Sequence, residues 1–175
     1  EALLKDKSDT FMYRDFQSRN VIIFEEEPYF IDFQGGRKGP VYYDVASFLW
    51  QAKANFSSDL REELIQTYIA SLKKFKDVDT SLFLENLRQY ILFRTLQVLG
   101  AYGFRGYFEK KPHFIQSVPF ALNNLSELLE DRFDEYPYLD SLLRKMVNLK
   151  QFKDTQKREL KVRVFSFAYK KGIPN

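Results

Sequence analysis

An Asp-Asn pair followed by a hairpin pattern constrains the fold of this chain more than any other feature of its 175 residues. Asp15 and Asn20 are five positions apart, and eleven residues separate Asn20 from Asp32. Those eleven consist of a β-branched and aromatic run, a polar turn and a second apolar run, at 21–24, 25–28 and 29–31. Two such runs around a turn predict a β-hairpin. The hairpin would fold Asp32 back beside Asn20, so that one bound ion could touch both side chains.

Carboxylate and amide side chains in this order suit the transfer of a phosphoryl group. That chemistry needs a carboxylate beside the accepting hydroxyl, and hard oxygen ligands that hold Mg²⁺ against the nucleotide phosphates. Asp15 fits the first role, while Asn20 and Asp32 fit the second. Acid and amide residues near strand ends are also ordinary turn formers. Order, spacing and hairpin together favour the chemical interpretation.

The same stretch resembles the carboxy-terminal lobe of the aminoglycoside phosphotransferase and choline kinase family, whose members are small-molecule kinases related in fold to protein kinases. The family loop reads His-x-Asp-x-x-x-x-Asn, the metal-binding acid lies in an Ile-Asp-Phe or similar segment, and a Gly-Pro-x-x-x-Asp-(Leu/Val)-Ala element follows. This chain matches the three elements at Asp15 and Asn20, at Asp32, and at residues 39–46. It departs from the family at Tyr13, where the family has the histidine whose ring braces the loop.

The resemblance implies an α+β fold, namely the mainly helical carboxy-terminal lobe of a protein-kinase-like fold with a small β-hairpin element at the catalytic cleft. It also implies ATP and Mg²⁺ as cofactors and a hydroxyl of a small polar molecule as the acceptor. Asp15 would accept the proton of that hydroxyl, and Asn20 and Asp32 would hold the metal. Ile22 and Ile31 would contact the adenine.

Two supporting residues leave alternatives open. The family resemblance implies that Asp44 hydrogen-bonds the catalytic loop, although an aspartate near a helix start also suits an N-cap. A Tyr-Arg-Asp loop, with Tyr13 as its first residue, resembles a variant found among protein kinases, so the change does not argue against activity, and the complete set of Asp15, Asn20 and Asp32 favours an active enzyme. The alternative is a pseudokinase-like interaction or regulatory module.

Later segments bear on the substrate. Residues 93–100, 111–114 and 118–119 are similar to the distal helices of bacterial cell-wall kinases that phosphorylate N-acetylmuramate or N-acetylglucosamine. An amino sugar is therefore the expected acceptor. Residues 162–174 resemble the opening strand of the carboxy-terminal domain of the RNase-adapter family, which is associated with amino-sugar phosphate signalling and RNA.

These resemblances divide the chain into a kinase lobe, a charged linker and the first strand of a following domain, at 1–149, 150–159 and 160–175. A kinase also needs a glycine-rich loop and a phosphate-binding lysine, and both belong to an amino-terminal lobe that would precede residue 1. We therefore expect the chain to be a fragment that is inactive alone.

Composition excludes several classes of protein. The chain has no cysteine, so a disulfide framework and a thiolate metal site are impossible. No apolar run is long enough to cross a bilayer, and no membrane partner is expected. A net charge of +3 does not suggest a nucleic-acid binder, so RNA contact would come only through a domain beyond the chain end. A cytoplasmic location is the expectation.

Apolar periodicity predicts a mainly helical body after the hairpin. Residues 1–8 look like the end of a helix, and a short strand is expected at 11–13. One helix follows the glycine-rich segment at 35–39. Four further helices are expected at 58–75, 81–107, 113–131 and 137–149.

Overall fold

The structure, a computed structural model, describes residues 10–149. The helix end predicted at 1–8, the linker at 150–159 and the strand at 160–175 lie outside the described residues. The chain divides into two compact units, the first ending at Val98 and the second beginning at Leu99.

Four short strands and six α-helices make up the described part, which confirms the α+β class. The strands are β1 (Thr10–Met12), β2 (Val21–Phe24), β3 (Glu27–Phe30) and β4 (Arg37–Gly39). The helices are α1 (Tyr42–Leu49), α2 (Ser58–Leu72), α3 (Thr80–Gly103), α4 (Pro112–Ile115), α5 (Val118–Leu128) and α6 (Pro137–Val147). A 3₁₀ turn covers Ser18–Asn20, and a π-helical turn covers Phe104–Phe108.

The predicted hairpin is confirmed, but its turn is shorter than predicted. β2 and β3 pair antiparallel from Val21 opposite Phe30 to Phe24 opposite Glu27. Only Glu25 and Glu26 form the turn, with φ of 49° and 66°, as a two-residue turn with two positive φ angles requires. The prediction of a four-residue turn at 25–28 is therefore wrong, since Glu27 and Pro28 belong to β3. Pro28 is tolerated in the strand because every second pair of an antiparallel ladder makes no backbone hydrogen bonds, so its missing N–H costs nothing there.

The short strand expected at 11–13 is confirmed one residue earlier, as β1, but its partner β4 was missed by the sequence analysis. β4 pairs antiparallel with β1, with Thr10 opposite Gly39 and Met12 opposite Arg37. The Thr10 hydroxyl also donates to the Gly39 carbonyl at 2.7 Å. This small sheet joins the strand that precedes Asp15 to the strand that precedes α1.

The helices predicted at 58–75, 81–107 and 137–149 are confirmed, each ending two to four residues earlier. The single helix predicted at 113–131 is wrong, since α4 and α5 are separate there. Pro119 lies at the first turn of α5 and has no N–H to donate to the carbonyl four residues earlier. A helix running through 115–119 would lose that hydrogen bond and meet a steric clash.

Each unit has its own apolar core. In the first unit the Tyr42 ring of α1 lies 4.9 Å from Phe83 and 5.2 Å from Tyr90, both on α3, and Tyr68 of α2 lies 6.0 Å from Phe83. In the second unit, the buried apolar residues include Leu122, Leu125, Phe133 and Leu143. None of the helices within residues 10–149 combines the length and the apolar character needed to cross a membrane.

Gly39 tests the importance of the β1–β4 pairing. A Cβ atom at this position would lie 2.7 Å from both Cβ and Sδ of Met12, whose side chain is 5% exposed and cannot swing into solvent. We expect Gly39→Ala to lower the free energy of unfolding by about 1–3 kcal/mol, measured by urea denaturation.

Gly35→Ala is the matched control, because its new Cβ would lie 3.9 Å from the nearest atom, Cδ of Arg14. Its stability should stay within about 0.5 kcal/mol of wild type. Equal losses in the two variants would contradict the packing of Gly39 against Met12.

Candidate active site

The loop at 13–20 is held at its start by one carboxylate. Asp44, in the first turn of α1, accepts the backbone N–H of Tyr13 at 2.5 Å and that of Arg14 at 2.9 Å, one on each oxygen. The family-derived expectation for Asp44 is therefore what the geometry shows, and no side-chain hydrogen bond caps the start of α1. The residue that follows this anchored pair is Asp15.

The ionisation of Asp44 is affected by burial and by opposing contacts. Burial raises the pKa of the Asp44 carboxyl above its ordinary value of 3.8, and the two backbone N–H groups and the cation of Arg94 oppose that rise. Arg94, on α3, has its guanidinium 4.6 Å from the centre of the Tyr43 ring and donates to the Tyr43 hydroxyl at 2.7 Å. The negative charge of Asp15 acts in the same direction as burial.

Asn20 closes the other end of the loop onto Asp15. The Asn20 side chain is 5% exposed, and its Nδ2 donates to the Asp15 carbonyl at 2.9 Å. Its own carbonyl accepts the N–H of Ile31 at 3.1 Å, the residue before Asp32. The backbone thus brings Asp15, Asn20 and Asp32 into one neighbourhood, as the spacing predicted.

Tyr13 supplies a second link between the loop and the hairpin. Its hydroxyl donates to the carbonyl of Ile31, so the brace that the histidine-to-tyrosine change was expected to remove is present in another form. The pKa of the Tyr13 phenol is raised, first by burial and then by the charges of Asp32, Asp15 and Asp44. All three negative charges disfavour ionisation of this phenol.

Backbone strain marks the same place. Arg14 has φ of 79° and Asp32 has φ of 66°, in the left-handed region that residues with a side chain rarely adopt. Such conformations cost on the order of 1–3 kcal/mol each and persist where surrounding contacts enforce them. Asp32 lies two residues past the end of β3, so its positive φ falls outside the strand ladder.

Asn20 and Asp32 offer oxygen ligands that suit a magnesium ion. Because Nδ2 of Asn20 is engaged, its Oδ1 is the atom that it can present, and Asp32 is exposed with one oxygen accepting from Nε2 of Gln34 at 2.7 Å. Mg²⁺ is usually held by one or two such oxygens together with water and phosphate rather than by a full protein cage. No group of three or more His, Cys, Asp or Glu side chains capable of holding a metal occurs within residues 10–149.

The two isoleucines expected to contact adenine lie on the hairpin. Ile22 is 45% exposed and Ile31 is 43% exposed, so both keep apolar surface that a flat ring could cover. Ile22 is in β2, opposite Tyr29, and Ile31 follows the last residue of β3. Contact with a nucleotide at these positions stays a prediction.

Comparison with known proteins supports the same chemistry. Residues 1–78 match the model of a phosphotransferase enzyme family, abbreviated APH, and the match includes Asp15, Asn20, Asp32 and Asp44 but not Arg94. No curated protein matches the chain. The match supports a kinase-type phosphotransferase as the class of protein, in agreement with the resemblance found in the sequence.

Three contributors to the site were missed by the sequence analysis. Phe16 stacks on Phe48 of α1 with ring centres 4.6 Å apart, the positive charge of Arg94 lowers the pKa of Asp44, and Gln51 accepts hydrogen bonds from Ser18. Phe48 stands four residues after Asp44 on the same face of α1, and Gln51 lies two residues past the end of that helix. That spacing was the available signal for the face of α1 that contacts the loop.

The raised pKa of Asp44 predicts a specific pH dependence of stability. A group whose pKa is higher in the folded state binds its proton more tightly there, so its stabilising contribution is complete below the ordinary pKa of 3.8 and is lost as pH rises through the raised value. We expect wild type to lose stability relative to Asp44→Asn over that window, and the difference to become constant at higher pH. Urea denaturation at a series of pH values measures it.

Asp77→Asn, an exposed position between α2 and α3, is the control. At neutral pH, Asp44→Ala should cost about 1–3 kcal/mol, because two backbone N–H groups lose their acceptor. A difference curve for Asp44→Asn that matches the Asp77 control would contradict the account of Asp44.

Proposed function

We propose that this chain provides the catalytic residues of an ATP-dependent phosphotransferase that phosphorylates a hydroxyl of a small polar molecule. The observation that carries the proposal is the anchored 13–20 loop, in which Asp15 is exposed while the residues on both sides of it are hydrogen-bonded in place. Positioning and electrostatic stabilisation account for nearly all of phosphoryl-transfer catalysis. A loop held rigidly around one exposed carboxylate fits that requirement.

Each site residue then has a role. Asp15 orients the acceptor hydroxyl and takes its proton, and Tyr13 and Asp44 keep the loop in the conformation that presents it. Asn20 and Asp32 hold Mg²⁺ through Oδ1 and the carboxylate, and Ile22 and Ile31 support the adenine. When bound, ATP would supply the phosphoryl group and Mg²⁺ would neutralise charge on its phosphates.

An amino sugar such as N-acetylmuramate or N-acetylglucosamine is the proposed acceptor. The support is the similarity of residues 93–100, 111–114 and 118–119 to bacterial cell-wall sugar kinases. A cytoplasmic location would give access to ATP. We further propose that contact with nucleic acid, if the protein makes it, comes through a domain beyond residue 175.

A regulatory module without turnover is the second candidate, and Tyr13 is the observation that favours it. A decayed kinase typically loses at least one of the residues that handle the proton or the metal. Here Asp15, Asn20 and Asp32 are all retained, and the Tyr13 hydroxyl itself links the loop to the hairpin. Measurement of ADP release by the full-length protein across a panel of amino sugars separates the two candidates.

The separate roles of the two acids give a testable contrast in the full-length protein. Asp15→Asn keeps the shape but removes the base, so we expect turnover to fall ~10²–10⁴-fold with little change in affinity for Mg·ATP. Asp32→Asn removes a charged ligand, so we expect weaker binding of Mg·ATP. Steady-state kinetics and isothermal titration calorimetry measure the two effects.

Asp134→Asn is a suitable control, since Asp134 is exposed and lies in the second unit. It should leave both quantities unchanged. Wild-type turnover by Asp15→Asn would refute its role as base, and unchanged Mg·ATP affinity of Asp32→Asn would refute its role as a metal ligand.

A further inference from the structure

Gln51, which belongs to none of the motifs above, connects the 13–20 loop to the end of α1. Its Oε1 accepts both the backbone N–H and the hydroxyl of Ser18, each at 3.1 Å. Its Nε2 donates to the carbonyl of Phe48 at 3.0 Å. The side chain is therefore engaged at both ends, which fixes the direction in which its oxygen faces.

The contact completes a regular set. Along α1 and the residues just past it, Asp44, Phe48 and Gln51 stand at i, i+4 and i+7, the spacing of one helical face. Asp44 holds the loop before Asp15, the Phe48 ring stacks on Phe16, and Gln51 holds Ser18. The loop is thus held on both sides of Asp15 by α1 and the residues that directly follow it.

We propose that Gln51 is a positioning residue for Asp15. This inference rests on the proposed phosphotransferase function. Asp44 fixes the residues before Asp15, but the segment from Asp15 to Asn20 contains an exposed serine and an exposed arginine that gain no burial energy. Without Gln51, the contacts that tie this segment to α1 reduce to the ring stacking of Phe16 on Phe48 among those described. A displacement of about 1 Å at a catalytic group can cost on the order of 10²-fold in rate.

The Gln51 amide makes two kinds of contact, and variants can separate them. Its oxygen holds Ser18 of the loop, and its nitrogen donates to the Phe48 carbonyl of α1. Gln51→Ala removes both, and Gln51→Glu keeps an acceptor for Ser18 but loses the donor to the Phe48 carbonyl. In the full-length protein we expect Gln51→Ala to lower kcat about 10–100-fold with KM values within about twofold. Gln51→Glu should keep kcat within about threefold of wild type, because the Ser18 contact survives.

Two further variants test the contact: Ser18 is the hydrogen-bond partner of Gln51, and Gln66 provides a control substitution. Ser18→Ala removes one of the two donors, so its loss should be smaller, and the double variant Gln51→Ala, Ser18→Ala should be no slower than Gln51→Ala alone. Gln66, an exposed residue of α2 whose side chain donates to Glu62 at 2.8 Å, provides Gln66→Ala as the matched control with unchanged kcat. Equal loss of kcat in Gln51→Glu and Gln51→Ala, or additive losses in the double variant, would overturn the proposal.

Hydrogen exchange of the Ser18 amide gives a readout that does not require activity. We expect this amide to exchange about tenfold faster in Gln51→Ala than in wild type or Gln66→Ala, measured by NMR on the same protein. Unchanged exchange would overturn the hold of Gln51 on Ser18. If exchange is faster in Gln51→Ala but the wild-type protein shows no kinase turnover, the contact is correct and the proposed function is wrong.

Discussion

The carboxylate of Asp44 is the interaction on which the arrangement of the site depends. It accepts N–H groups from two consecutive residues, Tyr13 and Arg14, and so fixes the backbone immediately before Asp15. A carboxylate that is partly desolvated forms stronger hydrogen bonds but costs free energy to keep ionised. The two N–H groups and the positive charge of Arg94 reduce that cost, although burial remains the largest effect. One helix start thereby determines the position of the exposed acid.

The strained residues are understandable in this light. Arg14 and Asp32 both hold positive φ angles, and both stand at points where the chain leaves a short strand and presents an acid. Neither strand pair is large enough to impose such conformations by itself. The hydrogen bonds to Asp44 hold Arg14, and the contacts of Asn20 and Tyr13 with Ile31 hold the residue before Asp32. Strain is thus concentrated where contacts from a distant part of the chain enforce it.

Local patterns made much of this predictable from sequence. The hairpin and the neighbourhood of Asp15, Asn20 and Asp32 follow from two apolar runs around a turn and from spacing over less than twenty residues. Strand β4 could not be predicted, because its pairing with β1 is non-local and its residues Arg37 and Lys38 carry no strand pattern. The Tyr13 brace and the Gln51 contact span 18 and 33 positions, and each depends on the folded backbone for its partner. The amino-sugar acceptor and the divisions of the chain beyond residue 149 stay predictions.

The central claim is that one carboxylate holds the loop before Asp15, and a pH titration of backbone amide shifts by ¹H–¹⁵N NMR tests it most directly. The account predicts that the amide resonances of Tyr13 and Arg14 move together, with one shared midpoint above 3.8, and that neither moves in that way in Asp44→Asn. Amides that titrate with different midpoints, or that titrate unchanged in Asp44→Asn, would contradict it.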